Sequence, residues 1–273
     1  MSNAADIDLS SDQAAGLRRL FGARAPQVVA FASGRESCGR TTLLVQTAAA
    51  LAAAGHAVVI VDENPAPNNA VTAFGLTARY DLMHAITGER SLRQIALPAA
   101  PLVRIVAAAR AAHELDHADA DAMRQLAACL QEMQCGAAFV LIDCATRRGG
   151  HLSALALAAR HVAVVVAAHG SAITHAYALI KNIAQIRGRD GFQVVITRAR
   201  AREEARAIFD NMRRVAKEHL GVNLAFLGAS TVPVTEHIAE ALATRLPPGL
   251  DDAHTGGFAF SPRRADLSRS VMV

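Results

Sequence analysis

Eight consecutive residues, Gly34-Arg35-Glu36-Ser37-Cys38-Gly39-Arg40-Thr41, carry the spacing Gly-x4-Gly-x-Thr, and that spacing can do phosphate chemistry. In such a loop successive backbone N–H groups converge on phosphate oxygens and the next helix aims its positive end at them. A Ser or Thr hydroxyl then reaches Mg²⁺. Gly34 and Gly39 suit the tight backbone, and Thr41 is the candidate metal ligand. The candidate nucleotide-binding residues are Gly34, Arg35, Ser37, Cys38, Gly39, Arg40, Thr41 and Thr42. The lysine that normally reaches the β- and γ-phosphates is replaced by Arg40, whose planar guanidinium is larger and differently shaped. Glu36 sets a carboxylate where glycine is usual, and its charge opposes nearby phosphates. The loop reads as nucleotide-binding; the competing reading is a vestigial cradle that no longer holds its ligand.

Two carboxylates stand where this chemistry needs them. Asp143 follows the apolar run Phe139-Val140-Leu141-Ile142, the Walker B pattern in which an acid holds Mg²⁺ through water. Asp62 ends another apolar run, Ala57 to Val61. Carboxylates at strand C-termini lie on the ligand-binding edge of an open α/β sheet. Taken singly, each is equally a loop residue or a helix cap; beside the loop at 34–41 the functional reading gains weight.

The elements that must position these groups are legible in the pattern. Val/Ile/Leu/Ala runs at 27–33, 57–62, 102–107, 138–143, 161–167, 192–198 and 222–228 lack polar alternation, as strands buried on both faces do. Helical stretches fall between them at about 39–54, 119–134, 151–160, 171–188, 200–219 and 234–245, with Ser171 as an N-cap and Gly188 as a terminator. The alternation predicts an α/β fold with a doubly wound, mostly parallel sheet flanked by helices. Three segments are expected: an N-terminal helix within 1–26, capped at Ser10-Ser11-Asp12; a main domain over 27–246; and a tail, 247–273, broken by Pro247-Pro248-Gly249 and Gly256-Gly257.

Composition removes several function classes. The chain has 273 residues, 52% of them hydrophobic, and a net charge of +4, which permits an acidic partner without demanding one. No apolar run reaches the ~20 residues of a membrane span. The polar, acidic start is no signal peptide, so the cytosol is the expected compartment. With no Trp and 4% aromatics, stacking platforms for single-stranded nucleic acid are not expected. Cys38, Cys129, Cys135 and Cys144 form no CxxC and the histidines show no ligand spacing, so reduced thiols without metal are expected. The loop is not GxGxxG, which excludes a dehydrogenase. The arginines from 198 to 214 alternate with Glu203, Glu204, Asp210 and Glu218, the pattern of a solvated face, with a nucleic-acid patch as the competing reading.

The order of these elements resembles the MinD/ParA family of deviant P-loop ATPases from about Val28 to Leu246. That family's loop reads Lys-Gly-Gly-x-Gly-Lys-Thr, with a signature lysine that crosses a sandwich dimer to the partner's phosphates. Arg35 stands at the signature position and Arg40 at the standard one. Asp62-Glu63-Asn64-Pro65 resembles the Asp-x-Asp switch, with its first acid kept and Asn64 in place of the second. The resemblance therefore implies ATP or ADP with Mg²⁺, Thr41 and Asp143 on the metal side, Asp62 as a catalytic carboxylate, and Arg198 and Pro233 in segments that contact the base.

Within the family the chain is most similar to the flagellar group, FlhG or FleN, whose members set flagellar number and placement. Asp12-Gln13-Ala14-Ala15-Gly16-Leu17-Arg18 matches that group's N-terminal Asp-Gln-Ala-x-x-Leu-Arg, and the stretch from Val194 to Gly228 looks like its second half. The resemblance implies an FlhF-type GTPase as partner. Gln13 would act in trans to orient an attacking water, as glutamines do in other GTPases, with Asp12, Leu17 and Arg18 at the contact. It also implies a flagellar C-ring protein, a flagellar transcription regulator, an ATP-dependent homodimer and peripheral membrane contact as further partners. The substitutions at Arg35, Glu36, Ser37, Arg40 and Asn64 lead to the expectation of slow or absent hydrolysis and a weakened dimer. Two alternatives stand beside this reading: an active, membrane-cycling ATPase, and a ParA-like DNA-binding ATPase.

Overall fold

Four parallel strands form the middle of the sheet because their sequences are apolar on both faces. The computed structural model describes residues 26–115, 119–145, 151–230 and 242. The N-terminal segment with Asp12, Gln13, Leu17 and Arg18, the helix expected at 234–245 apart from Leu242, Val232-Pro233 and the tail lie outside the described residues.

Strand β1 (Gln27–Ala32) feeds the loop at 34–39 and helix α1 (Arg40–Ala53). Then come β2 (Val58–Asp62) and three short helices, α2 (Ala70–Ala73), α3 (Leu82–Ile86) and α4 (Leu92–Ile95). The hairpin β3 (Leu97–Ala100) and β4 (Val103–Ala107) leads to α5 (Ala109–Glu114) and α6 (Ala120–Gln134). The remainder runs β5 (Phe139–Asp143), α7 (Ala154–Ala158), β6 (His161–Ala167), α8 (Gly170–Arg187), β7 (Gly191–Thr197), α9 (Arg202–Leu220) and β8 (Asn223–Ser230).

The eight strands make one sheet in the order β3-β4-β2-β5-β1-β6-β7-β8, parallel except for the β3–β4 pair. The expected doubly wound, mostly parallel sheet is the one observed. Its pleat splits β1 between two cores: Val28, Ala30 and Ala32 pack with α3 to α9, while Val29 and Phe31 pack with α1 and α2. Every residue of β1, β2, β5 and β6 is buried, which is why these strands read as unbroken apolar runs.

Two local expectations are corrected. The expected helix at 151–160 contracts to α7, because Ser153 is its N-cap, accepting from Ala156 N at 2.9 Å. Ser171 is not the cap of α8: His169 holds that position, and the Ser171 hydroxyl accepts a hydrogen bond from Arg35. At the other end Gly188 does terminate α8, in the left-handed region that glycine adopts without strain.

Among the described residues no helix is long and apolar enough to cross a membrane.

Candidate functional site

Parallel register brings the strand-terminal acids to one edge. Asp62 of β2 pairs with Asp143 of β5, and Asp143 pairs with Phe31 of β1. The loop leaving β1 therefore starts beside Asp143. That is the edge at which open α/β sheets bind ligands.

The loop itself is built for close backbone approach. Gly34 lies so near α8 that a Cβ there would sit 2.3 Å from the His175 carbonyl carbon and oxygen. Ser37 (φ 61°) and Gly39 (φ 81°) are both left-handed, a curl that turns successive N–H groups toward one side. Among the described residues, the backbone N–H groups of Arg35 to Gly39 donate to no protein acceptor in hydrogen-bonding geometry. Gly39 is also the N-cap of α1, so the helix starts with its positive end at the loop. Two bonds fix the loop: the Ser33 hydroxyl to Arg35 O at 2.9 Å, and the Thr197 hydroxyl at the end of β7 to Cys38 O at 2.8 Å. Cys38 is buried, while Arg35, Glu36 and Ser37 are exposed.

The charged groups are arranged differently from the sequence expectation. Arg40 turns inward. Its Nε donates to Asp143 Oδ1 at 2.5 Å and its Nη1 to the Ser33 hydroxyl at 3.3 Å. Burial opposes the charge on Arg40, but the Asp143 carboxylate, by charge and hydrogen bond, outweighs it, so the guanidinium's pKa is raised. The other Asp143 oxygen accepts from the Thr41 hydroxyl at 2.6 Å. Thr41 in turn accepts from Asn64 Nδ2 at 3.3 Å. The Asn64 amide has a defined orientation because its Oδ1 accepts from Ala66 N at 3.1 Å.

Asp62, expected as a catalytic carboxylate, is buried and holds the turn that follows β2. It accepts from Asn64 N at 3.1 Å and from Val71 N at 2.9 Å. Burial, and to a lesser extent the neighbouring Asp143, push its pKa up to about 6 against the lowering effect of those backbone bonds. The signature-position Arg35 reaches within its own chain, donating to Ser171 at 2.9 Å. Arg198 stands exposed at the end of β7, left-handed at φ 59°, on the same edge as the loop. Thr42 is exposed on the first turn of α1. The α9 arginines are engaged along their own helix, Arg206 and Arg213 with Asp210 and Arg214 with Glu218.

Sequence reasoning missed Glu63. It is buried, accepts from the Ser153 hydroxyl and, at 3.2 Å, from Ala145 N, and its own N–H bonds Asp143 O at 3.1 Å. It ties β2 to the segment after β5. The one available signal was its place directly after a strand-terminal acid.

For phosphate the site fits: a curled loop whose amides meet no acceptor among the described residues, a helix N-terminus and a hydroxyl lie together at the sheet edge. For a divalent cation the fit is poor. The Arg40 guanidinium already lies on Asp143, so a dication there would meet a fixed positive charge of the protein's own.

Comparison with known proteins agrees with this fold. A model of the CobQ/CobB/MinD/ParA nucleotide-binding domain matches residues 29–248. The antiactivator FleN of Pseudomonas aeruginosa is 29% identical over 79% of this chain and 76% of its own. The flagellum site-determining protein YlxH of Helicobacter pylori is 24% identical over 74% of this chain and 68% of its own. Among solved structures, the septum site-determining protein MinD of Pyrococcus horikoshii, complexed with Mg-ADP, superposes with a TM-score of 0.54. It is 18% identical, and the match covers 81% of this chain and 87% of that one.

Proposed function

The chain belongs to the CobQ/CobB/MinD/ParA nucleotide-binding family, and we propose that within it this protein is a MinD-like regulator of flagellar number and placement. It holds a nucleotide at Gly34–Thr41 without efficient hydrolysis. The similarity to FleN and to a flagellum site-determining protein supports the flagellar role. Nucleotide with magnesium is the ligand class found in the similar MinD structure.

The observation that carries this reading is the buried Arg40–Asp143 contact. In a hydrolysing P-loop protein the loop cation lies on the transferring phosphate and the Walker B acid on the metal. Here the two are paired with each other, and Asn64 provides an amide where the switch would have a second acid. Neither arrangement polarises a γ-phosphate or orients water. The loop's amides still suit phosphate binding. Nucleotide then serves as a ligand that biases conformation, and weak homodimerisation follows from the in-cis contact of Arg35.

The output runs through the N-terminal segment. Gln13 supplies a water-orienting amide to an FlhF-type GTPase, with Asp12, Leu17 and Arg18 at the contact. A C-ring protein, a flagellar transcription regulator and the inner face of the membrane are further proposed partners. Adding the full chain to purified FlhF-type GTPase is expected to raise GTP turnover roughly tenfold or more. The Gln13→Ala chain is expected to leave the basal rate. Equal acceleration by both chains, or by neither, contradicts the proposed output.

A further inference from the structure

We propose that Arg40 takes the place of the divalent cation in this site, so that nucleotide binds without Mg²⁺. The inference rests on the nucleotide reading above and adds to it which counter-ion the phosphates meet.

The groups that would bring Mg²⁺ to a P-loop are the Thr41 oxygen and the Asp143 carboxylate, the latter through water. Each is held by a fixed donor. Asp143 Oδ1 accepts from Arg40 Nε at 2.5 Å, Asp143 Oδ2 from the Thr41 hydroxyl at 2.6 Å, and Thr41 Oγ1 from Asn64 Nδ2 at 3.3 Å. These contacts support one another. The Asn64 amide cannot turn its oxygen toward Thr41 without losing Ala66 N. Thr41 spends its hydroxyl proton on Asp143 and one of its two lone pairs on Asn64. Arg40 is held on its other side by the Ser33 hydroxyl.

Charge leads to the same conclusion. Asp143 is fully buried and Arg40 nearly so, and the pair is neutral as it stands. A dication placed among these groups would meet a guanidinium that cannot shed its proton and whose charge this carboxylate favours further. It would also have to displace the guanidinium from the carboxylate it is hydrogen-bonded to in a poorly solvated position, which is costly. A lysine could withdraw as a compact, flexible point charge. Arg40, fixed at Nε by Asp143 and at Nη1 by Ser33, is a positive group held beside the acid that would otherwise serve a divalent cation. The cation that other sites recruit from solution is here part of the chain.

The test is binding of ADP and ATP to the full chain by equilibrium dialysis, in excess EDTA and in excess MgCl₂. The proposal expects the two dissociation constants to agree within about a factor of three. It also expects Mn²⁺, used as a paramagnetic probe with ADP, to give no protein-bound signal. Binding about tenfold or more tighter with Mg²⁺ overturns the proposal and leaves the nucleotide reading intact. No binding in either buffer, with the chain folded by circular dichroism, removes both. The Arg40→Lys chain is expected to acquire Mg²⁺ dependence. If it folds and binds equally in both buffers, Arg40 is not the cause.

Discussion

Asp143→Ala is expected to lower the unfolding free energy by about 3–5 kcal/mol, because it strips a buried guanidinium of its counter-charge. Asp143 is fully buried, and its two oxygens serve Arg40 and Thr41. The loss falls on residues that join β1, α1 and β5, so it should appear as destabilisation of the whole chain and not as local fraying. Urea unfolding followed by circular dichroism measures it. Arg40→Met should cost a similar amount for the mirror reason, a stranded carboxylate. The double variant Arg40→Met/Asp143→Asn should lose clearly less than the sum of the two single changes, since neither charge is then left alone. Strict additivity would mean that the two side chains do not act on each other, and the description of the site would fail with it.

Gly34→Ala has the second large effect. The added methyl would lie 2.3 Å from two backbone atoms of His175 and 2.6 Å from Ala176 N. These are helix atoms of α8, which cannot swing aside as a side-chain tip can. Either the loop lifts off the helix or α8 shifts against the sheet, at about 3 kcal/mol or more, the upper end of what overpacking costs. Lifting the loop also breaks the curl of its amides, so phosphate binding should be lost even in conditions where the chain remains folded. Gly39→Ala offers a contrast. Nothing lies near its would-be Cβ, and only the left-handed φ of 81° is violated, a strain of about 1–3 kcal/mol. If Gly34→Ala proved no worse than a surface substitution, the close approach of loop and helix would be wrong.

Much of this architecture was legible in the sequence because burial on both faces leaves a simple mark. β1, β2, β5 and β6 are apolar runs that carry no polar alternation, and their ends fell within a residue or two of the expected ones. β3 left no such mark. It is an edge strand, Leu97-Pro98-Ala99-Ala100, with alternating exposure and a proline that cannot donate to a ladder. Helices α2 to α5 are four to six residues long, too short to display a helical period. The loop was legible from its glycine spacing. The direction of Arg40 was not, since spacing says which residues share a loop and not which carboxylate the β1–β5 register sets beside them. The same limit hid Glu63, whose partners Ala145 and Ser153 are more than eighty positions away. Ser171 shows the converse error: a residue with good capping chemistry is used by Arg35 instead, because the helix is capped two residues earlier, at His169.

Every function proposed for this chain requires the loop between β1 and α1 to be a working phosphate cradle. Calorimetric titration of the full chain with ADP addresses that directly. Saturable heat with one nucleotide per chain, absent from the folded Gly34→Ala chain, is the predicted result. A folded wild-type chain that gives no heat with ADP or ATP, with or without magnesium, would contradict it.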